Sequence, residues 1–185
     1  MNNPLEKTIQ LIDQANAADP HDDREALYSK RMLETLRSFD KGASDSLTLA
    51  CYAQHVCRWK LSRKDYPEGL KGYLTWRTDL AKLHAKILAD AMRESGYSDE
   101  KIEQASRIIQ KKKLKTNAES QTLEDVSCLV FLGYYFEPFA DKYPDEKVID
   151  IVQKTWGKMS PQGHEAALQL TLPSRLNSLV AQALK

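Results

Sequence analysis

The sequence is poor in cysteine and has no long apolar run. Its three cysteines include no C-x-x-C pair, which argues against a disulfide framework or a cysteine-rich zinc site. We therefore expect Cys51, Cys57 and Cys128 to be reduced and mostly buried. No apolar stretch approaches the roughly 18 residues of a membrane span, and the first residues lack the basic and apolar segments of a signal peptide. These absences predict a cytoplasmic protein without a membrane partner.

A strong charge of one sign is also missing. The chain has 27 Lys and Arg against 26 Asp and Glu, a formal net charge of +1. Because affinity for a long nucleic acid rests on many phosphate contacts, such a partner is not expected. The sequence also has no glycine-rich phosphate loop, no serine, histidine and acid arrangement and no paired catalytic glutamates above chance spacing. The sequence therefore carries none of these well-known enzyme motifs.

Helical periodicity is present along nearly the whole chain. Apolar residues recur at spacings of three and four, the pattern of amphipathic helices, and we find no convincing strand and no internal repeat. A length of 185 residues is enough to bury one core. The sequence therefore predicts an all-α protein, a single-domain helical bundle over residues 1–185.

Local signals predict where several helices begin and end. Serine and aspartate favour helix starts, whereas glycine and proline favour ends and loops. In chain order the pattern predicts a helix capped by Ser44 or Asp45 and reaching Val56, a loop over 60–72, a helix over about 73–94 ended by Gly96, a helix starting at Ser98, and a helix over about 119–136. Prolines then punctuate a shorter C-terminal set of helices.

The order of four segments resembles HD-domain phosphohydrolases over about residues 25–135. These segments are YSKRMLETL from Tyr28, LTLACYAQHVCRW, LHAKILADAMRESGYSDEKIEQASRIIQKKKLK and QTLEDVSCLVFLG. On that pattern Tyr28 replaces the first histidine, Gln54-His55 replaces the His-Asp doublet, and Asp125 takes the place of the last aspartate. His84 resembles an additional histidine of two-metal members. The resemblance implies an HD-like helical core, with C-terminal helices over 144–184 packed on it.

A second resemblance covers almost the whole chain. The phrases AQHVCRW, YPEGLKGYLTWR, LEDVSCLVFL and KTWGKMSPQGHEAAL are similar to the family called domain of unknown function 4202. That resemblance implies a family but no reaction.

Two histidines and one carboxylate form the first candidate site. Metal-assisted phosphate ester hydrolysis needs three or more histidine or carboxylate ligands from separate helices. His55, His84 and Asp125 would make such a set, acceptable to a divalent transition metal: zinc, manganese or iron. Glu124 diverges from Asp125 by about 100° around the helix, so we favour Asp125 as the ligand. Alternatively, His55 and Asp125 form a hydrogen-bonded pair in a site that holds no metal.

Basic residues form the second candidate site. If the helices pack as in HD domains, Arg58, Arg77 and the lysines of the KKKLK stretch border one cleft, where an arginine could hold phosphate or carboxylate by two parallel hydrogen bonds. An amide could orient the ligand. The predicted ligand-binding residues are Gln54, Arg58, Arg77, Lys111, Lys113 and Glu124, with Lys112 and Lys115 in the same stretch. Alternatively, these cations form an ordinary solvated surface.

Two functions therefore follow as hypotheses. The first is a binding module for a phosphorylated or otherwise anionic small molecule or nucleotide. The alternative is a divergent metal-dependent phosphohydrolase that uses His55, His84 and Asp125. A scaffold, in which the family-like phrases serve only packing, is a third possibility, and the sequence does not determine the oligomeric state.

Overall fold

A computed structural model describes residues 3–113 and 116–185. These residues contain ten α-helices and no strand, so the all-α prediction is confirmed. The helices are α1 (Pro4–Asn16), α2 (Arg24–Phe39), α3 (Asp45–Tyr52), α4 (Gly69–Glu94), α5 (Asp99–Ile109), α6 (Ala118–Val130), α7 (Phe136–Ala140), α8 (Asp145–Lys158), α9 (Pro161–Leu168) and α10 (Ser174–Ala183). None of these helices is both long and apolar enough to cross a bilayer. Lys115, from the basic stretch, lies outside the described residues.

The chain divides into two compact units, Met1–Leu123 and Glu124–Lys185. In the first unit, α4 packs against α5 and α1, and α3 packs against α2 and α5. Its apolar core includes the fully buried side chains of Ile12, Met32, Leu36, Leu49, Leu88 and Ile108. The predicted single domain over 1–185 stays a prediction.

The second unit is held by apolar contacts among its own helices. α8 packs against α7 and α10. Phe136 is fully buried, and the ring of Phe131 lies 6.0 Å from that of Phe136 and 5.8 Å from that of Phe139. Burial of such rings is a large source of hydrophobic stabilisation.

Two predicted helix starts are confirmed by their caps. The Ser44 hydroxyl accepts a hydrogen bond from the Leu47 amide at the start of α3. The Ser98 hydroxyl accepts one from the Lys101 amide at the start of α5. Each serine therefore satisfies an amide that the helix itself leaves unpaired.

The predicted loop over 60–72 differs from the structure. One 3₁₀ turn, Arg58–Lys60, ends at its first residue, a second, Arg63–Asp65, lies within it, and α4 already begins at Gly69. A side chain at Gly72 would place its Cβ 1.8 Å from the carbonyl oxygen of Pro67. The missing side chain therefore lets the loop lie against the first turn of α4.

The predicted helix over 119–136 is also interrupted. α6 ends at Val130, and a π-helical segment, Phe131–Tyr135, leads into α7. Gly133 lies at the centre of this segment, where its low helix propensity favours a departure from regular α-helix.

Candidate cationic cleft

The first unit contains a cleft of about 460 Å³ beside α4 and the end of α5. Its polar lining includes Gln54, His55, Arg58, Arg77, Thr78, Lys82, His84, Gln110, Lys111 and Lys112. Five of these side chains are cationic, and no carboxylate residue belongs to the described lining. A concave surface lined by charges of one sign concentrates its field, so the electrostatic potential in this cleft is positive.

The segment after α3 brings His55 and Arg58 to the cleft. The predicted helix to Val56 ends at Tyr52, and the chain turns over the next five residues. Cys57 adopts the left-handed conformation, with φ of 53°, and its amide donates to the Asn16 side-chain oxygen at 3.0 Å. A non-glycine residue in this conformation costs about 1 kcal/mol or more. The contact with Asn16, from α1, compensates this cost.

His55 is held on three sides. Its ring stacks on Tyr28 of α2, with centroids 3.7 Å apart and planes 9° apart. A nitrogen of Arg58 lies 3.1 Å from His55 Nε2. Because a guanidinium only donates, Nε2 is the accepting nitrogen and the proton sits on Nδ1. Nδ1 lies 3.7 Å from a carboxylate oxygen of Glu25, which favours the same tautomer.

Burial and charge keep His55 uncharged. Burial lowers its pKa well below the usual value, and the positive charge of Arg58 lowers it further. Burial raises the pKa of Glu25, while the nearby charges of Arg24 and Arg58 oppose that rise. Arg58 stays cationic although burial lowers its pKa, because a guanidinium is not deprotonated in proteins. Charge in this part of the cleft therefore comes from the arginine.

The two arginines of the cleft are positioned by aromatic residues of α4. The guanidinium of Arg58 lies 5.2 Å from the ring centre of Trp76, whose indole N–H donates to the Leu61 carbonyl at 2.9 Å. Arg77 donates to the hydroxyl of Tyr73 at 3.0 Å. In the part of the chain that the structure describes, neither arginine makes an ion pair with a carboxylate. Each therefore has charge and donors left for a ligand.

His84 occupies the buried wall of the cleft. It lies on α4, is 5% exposed, and donates from Nδ1 to the Val56 carbonyl at 2.7 Å. Its ring centre lies 6.3 Å from that of His55. Burial lowers the pKa of His84 to about 4; the Val56 hydrogen bond opposes this effect, and Arg58 and Arg77 add to it. The ring is therefore neutral at neutral pH, with an unprotonated Nε2.

Four of the six predicted ligand-binding residues line this cleft: Gln54, Arg58, Arg77 and Lys111. Lys113 is exposed and does not belong to the described lining, and Glu124 is buried in the second unit. Lys111 lies two residues after the end of α5 and adopts the left-handed conformation, with φ of 53°.

The predicted metal ligands are divided between the two units. His55 and His84 line the cleft of the first unit, whereas Asp125 belongs to the second. The Asp125 carboxylate accepts hydrogen bonds from the Ser160 amide at 2.8 Å and from the Ser160 hydroxyl at 2.5 Å. Among the residues that the structure describes, no three His, Cys, Asp or Glu side chains are grouped so as to hold a metal ion. The metal site stays a prediction.

Sequence reasoning missed Lys82, Thr78 and Glu25. Helical spacing contains the signal for the first two, because residues three, four and seven apart lie on one face. Arg77, Ala81 and His84 follow this spacing, and Thr78 and Lys82 lie beside them. Glu25 precedes Tyr28 by three residues on α2, which places both on the side of that helix that contacts His55.

Comparison with known proteins gives one family. Residues 6–180 match a family model described as Domain of unknown function (DUF4202). No curated protein and no solved structure gives a significant match to the chain. The matched range covers most of the sequence, as the second resemblance implied, and the resemblance to HD-domain phosphohydrolases stays a prediction.

Proposed function

The chain belongs to the DUF4202 family, and because that description names no reaction, we propose from the cleft that it binds a phosphorylated small molecule or nucleotide. The observation that carries this proposal is the lining of five cations, Arg58, Arg77, Lys82, Lys111 and Lys112, without a carboxylate in the described lining. A phosphate group would neutralise part of this charge and accept several of its donors.

The volume of the cleft and its combination of charged and apolar lining residues suit a small ligand. Its volume of about 460 Å³ falls within the range of roughly 300 to 1,000 Å³ typical of small-molecule sites. Leu74, Leu80 and Ile109 add apolar surface to the lining, which a sugar or base could cover. A long nucleic acid is less suited, because the net charge of +1 gives little attraction outside this one concave site.

Isothermal titration calorimetry tests the proposal with ribose 5-phosphate, AMP and inorganic phosphate as probes. We expect at least one organic phosphate to bind the wild-type protein, and Arg77→Ala to weaken its Kd by about tenfold or more, since a hydrogen bond to a charged group contributes about 1.5 to 3 kcal/mol. Arg58→Ala should have a similar effect. Binding should weaken as salt is raised.

Arg93→Ala is the matched control for this titration. Arg93 lies on the same helix, donates to Asp90 at 3.2 Å, and does not line the cleft. We expect its affinity to equal that of the wild type. Absence of binding by all three probes, or equal losses in Arg77→Ala and Arg93→Ala, would overturn the proposal.

The metal-dependent phosphohydrolase remains the alternative proposal, supported by the closeness of the uncharged rings of His55 and His84. Against it, a metal at His55 Nε2 would have to displace the hydrogen bond from Arg58 and lie beside that cation. Elemental analysis of purified protein, with His55→Ala as the control, separates the two functions. About one equivalent of zinc, manganese or iron that is lost in the variant would favour the hydrolase.

A further inference from the structure

The cleft contains hydrogen-bond acceptors as well as cations. His84 Nδ1 is occupied by the Val56 carbonyl, which leaves the Nε2 edge of the ring for the cleft that His84 lines. No described residue donates a hydrogen bond to Nε2. An accepting nitrogen on a side chain that is only 5% exposed is therefore left without a protein donor among the described residues.

Gln54 supplies a second acceptor of the same kind. Its side-chain oxygen is buried and has no hydrogen-bond partner among the described residues, and Gln54 lines the same cleft. A buried carbonyl without a donor costs about 1 to 3 kcal/mol, so a ligand that donates to it regains that free energy.

A phosphate group alone does not match both kinds of lining. The arginines and lysines donate, and a phosphate dianion only accepts, so the phosphate satisfies the cations but not His84 or Gln54. Nearby positive charge also favours the fully ionised phosphate over its protonated, donating form. The ligand must therefore carry a donor outside its phosphate group.

That donor is better uncharged than charged. An ammonium group would lie among Arg58, Arg77 and Lys82, where repulsion between like charges opposes binding. A hydroxyl group donates without charge and is small enough to reach an imidazole nitrogen or an amide oxygen.

We infer that the cleft selects a phosphate ester that also carries hydroxyl groups, of the sugar phosphate or nucleoside phosphate class, with His84 Nε2 and Gln54 Oε1 accepting from those hydroxyls. This inference rests on the proposed function and adds the chemistry that selects among phosphates. His84 is then a specificity-determining residue, and Arg58 and Arg77 supply most of the affinity.

A pair of probes that differ only in hydroxyl groups tests the inference. Glycerol 3-phosphate and propyl phosphate have the same three-carbon chain and the same phosphate, but only the first carries two free hydroxyls. In calorimetry with EDTA present, we expect the wild-type protein to bind glycerol 3-phosphate at least about tenfold more tightly than propyl phosphate. Phosphoethanolamine, which replaces the hydroxyls by an ammonium group, should bind more weakly than glycerol 3-phosphate.

Two variants should remove this discrimination without removing phosphate binding. In His84→Asn the amide N–H can still donate to Val56, but the acceptor at the Nε2 position is lost. Gln54→Leu removes the second acceptor and leaves the His84 contact intact, so it keeps the test valid if His84→Asn does not fold. In each variant we expect the Kd of propyl phosphate divided by the Kd of glycerol 3-phosphate to fall at least threefold. The Kd of propyl phosphate itself should change less than twofold.

His21→Asn serves as the control variant, because His21 is exposed and does not line the cleft. Equal affinity of wild-type protein for glycerol 3-phosphate and propyl phosphate would overturn the inference and leave phosphate binding intact. A ratio unchanged in both His84→Asn and Gln54→Leu would overturn the assignment of these acceptors. If no organic phosphate binds at all, the proposed function itself fails. If glycerol 3-phosphate binds more tightly than propyl phosphate, the affinities of AMP and ribose 5-phosphate distinguish a nucleotide from a free sugar phosphate.

Discussion

The Asp125 carboxylate of the second unit and two acceptors in the cleft of the first unit differ in their hydrogen bonding. In the second unit the Asp125 carboxylate accepts from both the amide and the hydroxyl of Ser160, the residue that caps α9. In the cleft, His84 Nε2 and the Gln54 oxygen have no donor among the described residues. A hydrogen-bonded group stabilises a fold, whereas a buried group without a partner lowers stability. The second unit also has such an atom among its described residues, Ser127 Oγ, which does not line the cleft.

The strongest test of this difference is Asp125→Ala. Two hydrogen bonds to a carboxylate would be lost and the half-buried Ser160 donors left unpaired, so we expect the free energy of unfolding to fall by about 4 kcal/mol. Urea denaturation measures this change. Glu165→Ala, which removes an exposed carboxylate on α9, should change stability by less than about 0.5 kcal/mol. Equal stability of the two variants would show that the hydrogen bonds of Asp125 to Ser160 do not stabilise the fold.

Acid should destabilise the protein through His84. Its pKa is about 4 in the folded protein and 6.5 without burial, so between these values only the unfolded chain binds the proton. The free energy of unfolding should therefore fall as pH is lowered from about 6.5 to 4, by about 3 kcal/mol from this residue. Above pH 6.5 the ring is neutral in both states and contributes no pH dependence.

Neighbouring groups add to or oppose this effect. The lowered pKa of His55 acts in the same direction, whereas the raised pKa of Glu25 favours the folded protein as pH falls. Arg58 and Arg77 stay charged throughout. The difference between wild type and His84→Asn isolates His84, and we expect the variant to lose less stability between pH 6.5 and 4 in urea denaturation. Parallel curves for both proteins would contradict a neutral, buried His84.

Two glycine substitutions test the packing around the Asp125 carboxylate, with a smaller expected change in stability. A Cβ at Gly163 would lie 2.6 Å from an Asp125 oxygen, whereas a Cβ at Gly157 would meet nothing within 4 Å. We expect Gly163→Ala to lower stability by about 2 kcal/mol through overpacking. Gly157→Ala should raise it by about 0.5 kcal/mol because alanine favours a helix. Thermal unfolding of both variants measures the difference, and similar melting temperatures would refute the close contact.

The smallest effect is expected for stability in Gln54→Leu. Removing a buried oxygen without a donor should leave the free energy of unfolding unchanged or raise it by up to about 1 kcal/mol. Urea denaturation of this variant beside Asp125→Ala completes the comparison. A loss of 2 kcal/mol or more in Gln54→Leu would mean that Gln54 stabilises the fold, and the contrast between the two regions would fail.

Local order along the chain could be predicted from the sequence. Apolar residues spaced three and four apart predict the helices. Ser44 and Ser98 mark helix starts that the structure confirms, because a cap depends on residues within one turn. The turn that follows α3 could not be predicted in this way. It is joined to α1 by a hydrogen bond between Asn16 and Cys57, which lie far apart in the sequence and leave no local signal.

The same distinction between local and long-range information applies to the candidate site. By itself the sequence determined the all-α class, the near-neutral charge and the identity of the basic and histidine side chains, because composition and periodicity are properties of neighbouring residues. Only the tertiary structure decided that α2 and the segment after α3 supply His55 with its partners, and that this segment, α4 and the end of α5 border one cleft. It also decided that Asp125 binds Ser160, since contacts between distant segments follow from packing rather than from spacing.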